Sequence, residues 1–443
     1  MTLFDIFLVP LYFGFFYLFA QRISKKNFRD PVYRAYYMKG FKYKMFGAIS
    51  YALIYLYYYK GGDTLEYFYA AKPMFRLLVN DPLWYFKFIT GLYNHYPEFL
   101  AADVREGAAL YLTRGSATLT TIRIASVLTL FSCNSFMVLS MFFSFISYQF
   151  IWKAFRLVVS LYPTLHKKLA FAFLMIPSPL FWGSGVGKDT IMLGAIMLTF
   201  YSYYRIFIEK KFNAKYIFLL FSSAYLIALI RGFILFTIIP CAVLMSVVYY
   251  QKQIRSSFVR FLIGPIFLVA GLGASFFFVK SLGDTVESYK IDSLAKKAEG
   301  FHSWHTTLAK TEGGSSYTIG GDISYTPAGV LKQAPIASAI ALFGPFPWQI
   351  RNAVMLLSGI ESLMFLYFVI KILFNKRIYK LGSALTRDPI IVFCIPFILI
   401  LAVAIGLTSF NYGALVRYRT PILPFFATAI ILINHHLSSN KAV

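Results

Sequence analysis

Residues 217–251 read IFLLFSSAYLIALIRGFILFTIIPCAVLMSVVYYQ, an apolar run of 35 residues interrupted by a single charge, Arg231. About 20 apolar residues suffice to cross a hydrocarbon core of ~30 Å as a helix, so the run is too long for one span. Lys215 precedes it, and Lys252 and Arg255 follow. Basic residues at both ends place both ends on the same side of a membrane, which predicts a hairpin of two helices with Arg231 at the turn. An ionisable residue near membrane depth costs several kcal/mol unless partnered, so Arg231 is a functional candidate.

The rest of the chain follows the same pattern. Of its 443 residues, 58% are hydrophobic, 19% aromatic and 14% charged, against roughly 25% charged in an ordinary soluble domain. The 48 Phe and 33 Tyr suit lipid-facing and interfacial positions, and the alternating segments of a transmembrane β-barrel are absent. The expectation is an all-α polytopic membrane protein with about eleven spans, at residues 3–20, 44–59, 124–151, 169–182, 189–207, 216–230, 232–250, 261–280, 353–373, 389–409 and 421–437. It forms one integral-membrane domain over residues 1–443. The first span lacks a small-residue cleavage site and ends in Arg22, Lys25 and Lys26, which reads as a retained helix rather than a signal peptide.

The net charge of +25 is unevenly placed. One set of alternate loops, residues 21–44, 152–168, 205–215, 251–260, 371–388 and the C-terminal tail, holds 25 Lys and Arg against three acids; everything else holds 18 against 15. By the positive-inside rule the first set is cytoplasmic, the N-terminus outside and the C-terminus inside. The positive charge thus sorts by membrane side, and no nucleic-acid partner is implied. The other side carries two long extracytoplasmic segments. Residues 60–123 contain amphipathic pieces suited to the interface. Residues 281–352 include a polar stretch, Thr306 to Gly321, whose glycines and serines suit a loop or lid.

Four groups of residues carry chemistry. In Lys60-Gly61-Gly62-Asp63-Thr64-Leu65-Glu66, Asp63 follows two glycines that turn the backbone toward the membrane. It could act as a general base or orient a hydroxyl, or cap a helix with Glu66 in capping-box spacing. In Gly183-Ser184-Gly185-Val186-Gly187-Lys188-Asp189, Lys188 and Asp189 open a helix whose N-terminus favours anions. The spacing is not that of a Walker loop, since no strand precedes it, and Lys188 could instead snorkel. Arg231 is the third. The fourth is Arg417-Tyr418-Arg419-Thr420-Pro421, where two guanidinium groups in an extended turn could grip one pyrophosphate from the same side.

Weaker candidates are His302 and His305, whose spacing makes a poor metal site; Glu361, which could neutralise an arginine or satisfy a helix contact; and Trp348, in an aromatic turn that could stack on a sugar ring. No metal is expected. The three cysteines, Cys133, Cys241 and Cys394, lie far apart in apolar surroundings and read as packing residues.

At Gly62-Asp63, Gly185-Val186-Gly187-Lys188-Asp189, Phe343-Gly344-Pro345-Phe346-Pro347-Trp348 followed by Glu361, and Arg417-Tyr418-Arg419-Thr420-Pro421, the chain resembles bacterial polysaccharide polymerases. The resemblance is to the O-antigen (Wzy-type) and exopolysaccharide (EpsG-like) groups within the GT-C class of multi-spanning glycosyltransferases, and its layout covers nearly the whole chain. It implies a metal- and cofactor-independent glycosyltransferase in the bacterial inner membrane, joining oligosaccharides carried on undecaprenyl pyrophosphate at the outer face. On that reading Lys188, Arg231, Arg417 and Arg419 hold the pyrophosphate, and Asp63 or Asp189 activates the acceptor. The family often carries a catalytic residue in a large outer loop; none is evident in residues 281–352 unless His302 or His305 fills the role. Implied partners are the polyprenyl-linked oligosaccharide, the lipid bilayer and other polysaccharide-assembly proteins. The rival readings are a transporter or flippase of anionic lipid-linked glycans, a GT-C transferase adding a single sugar from a polyprenyl-phosphate donor, and a non-catalytic assembly subunit.

Overall fold

The computed structural model describes residues 3–92, 115–251, 327–350 and 353–438, together with positions 266, 273, 300 and 317. Among these residues the chain is helical, without a β-strand. In chain order the helices are α1 (Leu3–Asn27), α2 (Pro31–Leu53, continued by a π-helical turn over Ile54–Tyr59), α3 (Asp63–Ala71), α4 (Met74–Asn80), α5 (Pro82–Thr90), α6 (Ser116–Thr129), α7 (Phe136–Leu161), α8 (His166–Leu174) and α9 (Pro177–Phe181). They continue as α10 (Lys188–Tyr203, with a π-helical turn over Tyr204–Ile208), α11 (Ala214–Arg231), α12 (Phe233–Gln251), α13 (Pro327–Phe343), α14 (Ala353–Leu373), α15 (Leu381–Arg387), α16 (Pro389–Ser409), α17 (Tyr412–Tyr418) and α18 (Leu423–Ser438).

Many of these helices begin where the sequence supplies a cap. Asp30, Asp81 and Asp388 each precede a proline at the first helical position and accept a backbone N–H from the first turn, at 2.8 Å from Val32, 3.0 Å from Trp84 and 2.9 Å from Ile390. The proline has no N–H to leave unsatisfied, and the carboxylate complements the positive end of the helix.

Among the described residues, seven helices are long and apolar enough to cross a membrane, or eight if the bent pair α17 and α18, which meet at 66°, forms one span. These eight coincide with eight of the eleven expected spans. Of the other three, residues 261–280 lie outside the described residues, apart from positions 266 and 273. The span expected at 44–59 is the second half of a longer helix that starts at Pro31 and carries Arg34, Lys39, Lys42 and Lys44. The loop expected over 21–44 is therefore only a short link between α1 and α2. The span expected at 169–182 is broken into α8 and α9, because Pro177 starts a new helix and its ring cannot continue the preceding one.

Two further boundaries differ from expectation. Residues 124–151 belong to two helices, α6 and α7, separated by a turn in which Cys133 and Asn134 take positive φ. Ser135 caps α7, accepting the Val138 amide at 3.3 Å. Ser132, Asn134 and Ser135 mark the turn, but the apolar runs on either side of it read together as one span. Within residues 281–352, expected as a loop, α13 is a 17-residue helix packed on α16. The approach is close enough that a Cβ at Gly406 would meet the Ala337 carbonyl. Of the polar stretch expected to be a lid, only Tyr317 is described. It is buried, with its amide bonded to the Phe410 carbonyl at 3.1 Å and its hydroxyl to the Gly406 carbonyl at 3.0 Å.

The main hydrophobic core runs along the bundle, and a second cluster closes one end, where α2–α7 meet Trp182, Val186 and Val416. At the other end Asp388, opening α16, accepts from Tyr162 beyond α7 at 2.7 Å and bonds His436 near the end of α18 at 2.7 Å. Burial raises the Asp388 pKa, but hydrogen bonds from His436, Tyr162 and the Ile391 amide outweigh it and hold the carboxyl below its ordinary value.

Candidate functional site

The second cluster supports a group of charges drawn from four separate stretches of chain. Gly62 takes φ +105° at the start of α3, a conformation that glycine adopts without steric cost. The helix N-cap is therefore Gly62, not Asp63 with Glu66; both acids lie in the first turn, where the helix dipole favours them. Thr64 donates to the Val186 carbonyl at 2.6 Å and Thr190 to the Gly185 carbonyl at 2.7 Å. These bonds fasten the glycine-rich loop to α3 and α10. A Cβ at Gly185 would overlap the Tyr51 ring, so only glycine lets this loop approach α2 so closely.

Asp189 is the centre of the group. Arg231 Nη2 lies 2.6 Å from its Oδ1, and Arg417 Nε lies 3.1 Å from its Oδ2. The Asp189 side chain is only 6% exposed and those of Arg231 and Arg417 are 12% and 26% exposed. One carboxylate thus bridges two guanidinium groups, and both of its oxygens are engaged. Arg417 Nη2 also reaches Asp63 Oδ2 at 3.9 Å, and the Asp63 side chain is 42% exposed. Aromatic faces hold the cations as well: Arg231 sits 4.5 Å from the Tyr418 ring centroid and Arg417 5.7 Å from that of Trp182. Lys188 donates to the Thr118 hydroxyl at 2.9 Å and lies 5.6 Å from the Tyr67 centroid.

Arg419 does not join this group. It is fully buried, with Nη1 donating to the Gly344 carbonyl at 2.6 Å and Nη2 to the Ser358 carbonyl at 3.3 Å and lying 3.6 Å from Glu361 Oε1. Glu361 in turn accepts the Ser178 amide at 2.8 Å. This pair ties α14 to α9 and to the turn after α13. The expectation that Arg417 and Arg419 grip one ligand from the same side fails because the segment is helical, not extended. At 3.6 residues per turn, positions two apart point about 200° from each other.

Trp348 lies in the expected turn, 79% exposed and stacked on Phe346 at 5.1 Å. His302 and His305 lie outside the described residues. Among the described residues no three His, Cys, Asp or Glu side chains assemble into a group that could hold a metal ion.

Several contributors were not singled out from sequence. Thr118, Tyr67 and Tyr418 touch the cations, and nothing in their local pattern marks them. Tyr51 and Tyr55, one helical turn apart on α2 and its π-helical continuation, pack with tilted rings at 4.5 Å beside the glycine loop; their i, i+4 spacing was a usable signal. Lys44, counted among the cytoplasmic-loop cations, is buried and donates to the carbonyls of Pro179 at 3.0 Å and Gly183 at 2.5 Å. It thereby caps the carboxyl end of α9 and holds the loop that leads to Lys188.

The chain matches no known family model, no curated protein and no solved structure.

Proposed function

We propose that this end of the bundle binds the phosphate groups of a polyprenyl-linked oligosaccharide and that the protein is a lipid-linked glycan polymerase of the GT-C type. The observation that carries the reading is the meeting of Lys188, Arg231, Arg417 and Asp63 around the bridging carboxylate of Asp189. Three cations against two carboxylates leave a positive excess beside the exposed Asp63. Arginine forks and a lysine at a helix N-terminus suit phosphate oxygens.

In this reading Arg231, Arg417 and Lys188 hold the pyrophosphate and stabilise it as it leaves. The acceptor hydroxyl attacks the anomeric carbon, the new C–O bond forms as the bond to pyrophosphate breaks, and the configuration inverts. Asp63 takes the hydroxyl proton, because both oxygens of Asp189 are engaged and Asp63 is the accessible carboxylate. Asp189 is a positioning residue. The products are an elongated glycan and polyprenyl pyrophosphate. The charge asymmetry of the loops supports a site at the outer face, and the family resemblance supports a bacterial cytoplasmic membrane.

The transporter reading is favoured by a different observation: α8 with α9 and α17 with α18 are broken helices, α9 leading into the glycine loop before Lys188 and α17 carrying Arg417 beside its break, the kind of interruption transporters use to hold ions. The deciding experiment incubates purified protein in nanodiscs with lipid-pyrophosphate-linked oligosaccharide and neither nucleotide nor metal. A ladder of repeats is expected. A single-step product indicates a transferase adding one unit, and movement of unchanged substrate across a liposome bilayer replaces the enzyme with a transporter.

A further inference from the structure

Below the Arg231 turn, α10, α11 and α12 enclose a cleft of about 520 Å³. Its floor is buried, formed by Phe200, Leu235 and Ile238, and its mouth is exposed, formed by Phe207, Phe221 and Tyr225. Hydroxyls in its wall are turned to partners: Thr199 donates to Ser223 at 2.8 Å, and Tyr203 pairs with Ser246 at 2.9 Å. A cavity with such a lining stays dry and takes hydrocarbon. Its volume falls among those of ordinary ligand sites, about 300–1,000 Å³.

The position of the cleft says which hydrocarbon. Leu235 comes four residues after Arg231, Ala224 seven before it, and Phe207 eighteen after Asp189. At 1.5 Å per residue the cleft extends from about 6 Å to about 27 Å below the charged group, nearly the depth of a hydrocarbon core of ~30 Å. Two of the three helices that wall it, α10 and α11, carry Asp189 and Arg231 at their ends. A lipid whose phosphate lay on the arginines would have this cleft within reach of its chain, and exposed Phe221 and Phe207 mark its open side.

We infer that the cleft between α10, α11 and α12 is the binding site for the isoprenoid chain of the same polyprenyl lipid whose phosphates the basic group holds. The inference rests on the phosphate reading given above. It makes the protein select its substrate by chain as well as by headgroup.

The test uses the full chain in nanodiscs and a polyprenyl phosphate with a diazirine in mid-chain, with labelled peptides identified by mass spectrometry. Label is expected on α11 and α12, displaced by unlabelled polyprenyl phosphate and not by excess phosphatidylglycerol. Ala242→Trp, which fills the cleft, and the milder Ala224→Phe at its side each lower that label, the first by about tenfold, equivalent to about 1.4 kcal/mol. Binding of a short-chain prenyl pyrophosphate stays unchanged in a correctly folded variant, which also reports that the fold survives. Label spread over the exposed faces of α1 and α14, or displaced equally by phosphatidylglycerol, overturns the inference. Failure of the short-chain pyrophosphate to bind wild type, with cleft label intact, instead overturns the phosphate reading and leaves the chain site standing.

Discussion

Replacing Asp189 by asparagine separates its two conceivable roles. The wild-type carboxylate carries two charge-assisted bonds, at 2.6 Å from Arg231 and 3.1 Å from Arg417, and each such bond contributes about 1.5–3 kcal/mol. Removing one partner of a buried ion pair costs about 3–5 kcal/mol, because the other charge is left uncompensated. Arg417 is about a quarter exposed and water recovers part of its solvation, so the expected loss for Asp189→Asn is near the lower end, about 3 kcal/mol. The assay is unfolding in mixed detergent micelles followed by tryptophan fluorescence, with Trp182 adjacent to Arg417 as reporter. Pyrophosphate binding, measured in parallel, is retained or tightened, since three cations then face only Asp63. If Asp189→Asn unfolds within about 1 kcal/mol of wild type, the value of an exposed pair, and still loses activity, the positioning role is wrong and Asp189 acts in the chemistry itself.

Arg417→Ala and Arg419→Ala should differ in kind: the first abolishes product at normal protein level, and the second lowers the level of folded protein by breaking a fully buried pair worth about 3–5 kcal/mol, read by fluorescence-detected size exclusion. Gly185→Ala should cost both fold and activity, since its Cβ would overlap the Tyr51 ring; a variant as stable as wild type by the same chromatography would show that the loop is free to move. The Asp388 network predicts an acid limb. Because folding lowers the Asp388 pKa, its contribution is complete above the unfolded value of about 3.9 and is lost as pH falls through the folded one, and Asp388→Asn should flatten stability against pH in that range. Orientation can be read from the native cysteines: Cys133 is exposed beside the start of α7, whereas Cys241 and Cys394 are buried. An impermeant maleimide should therefore label Cys133 in intact cells, and labelling only after permeabilisation would place the site on the cytoplasmic side.

The sequence by itself determined that this is a helical, membrane-type chain, because apolar runs of span length are dictated by the thickness of a bilayer and are written contiguously. It also marked Asp63, Lys188, Asp189 and Arg231 as neighbours at one end, since alternation of spans assigns every second turn to the same side. What it did not determine is what those side chains touch. The turn at Cys133–Ser135 and the break before Pro177 are marked only locally, by Ser132, Asn134 and Ser135 and by the proline itself, and hydropathy averaged over a span length merges the apolar runs on either side. Arg417 and Arg419 are two residues apart and looked equivalent; the helical course of α17 sends one to the charged site and the other into the core. Asp189 became a bridge, Lys44 an internal cap and the space beneath Arg231 a cleft only once the helices were packed. Those outcomes depend on which faces of distant helices meet, and the periodicity of a single helix carries no record of its neighbours.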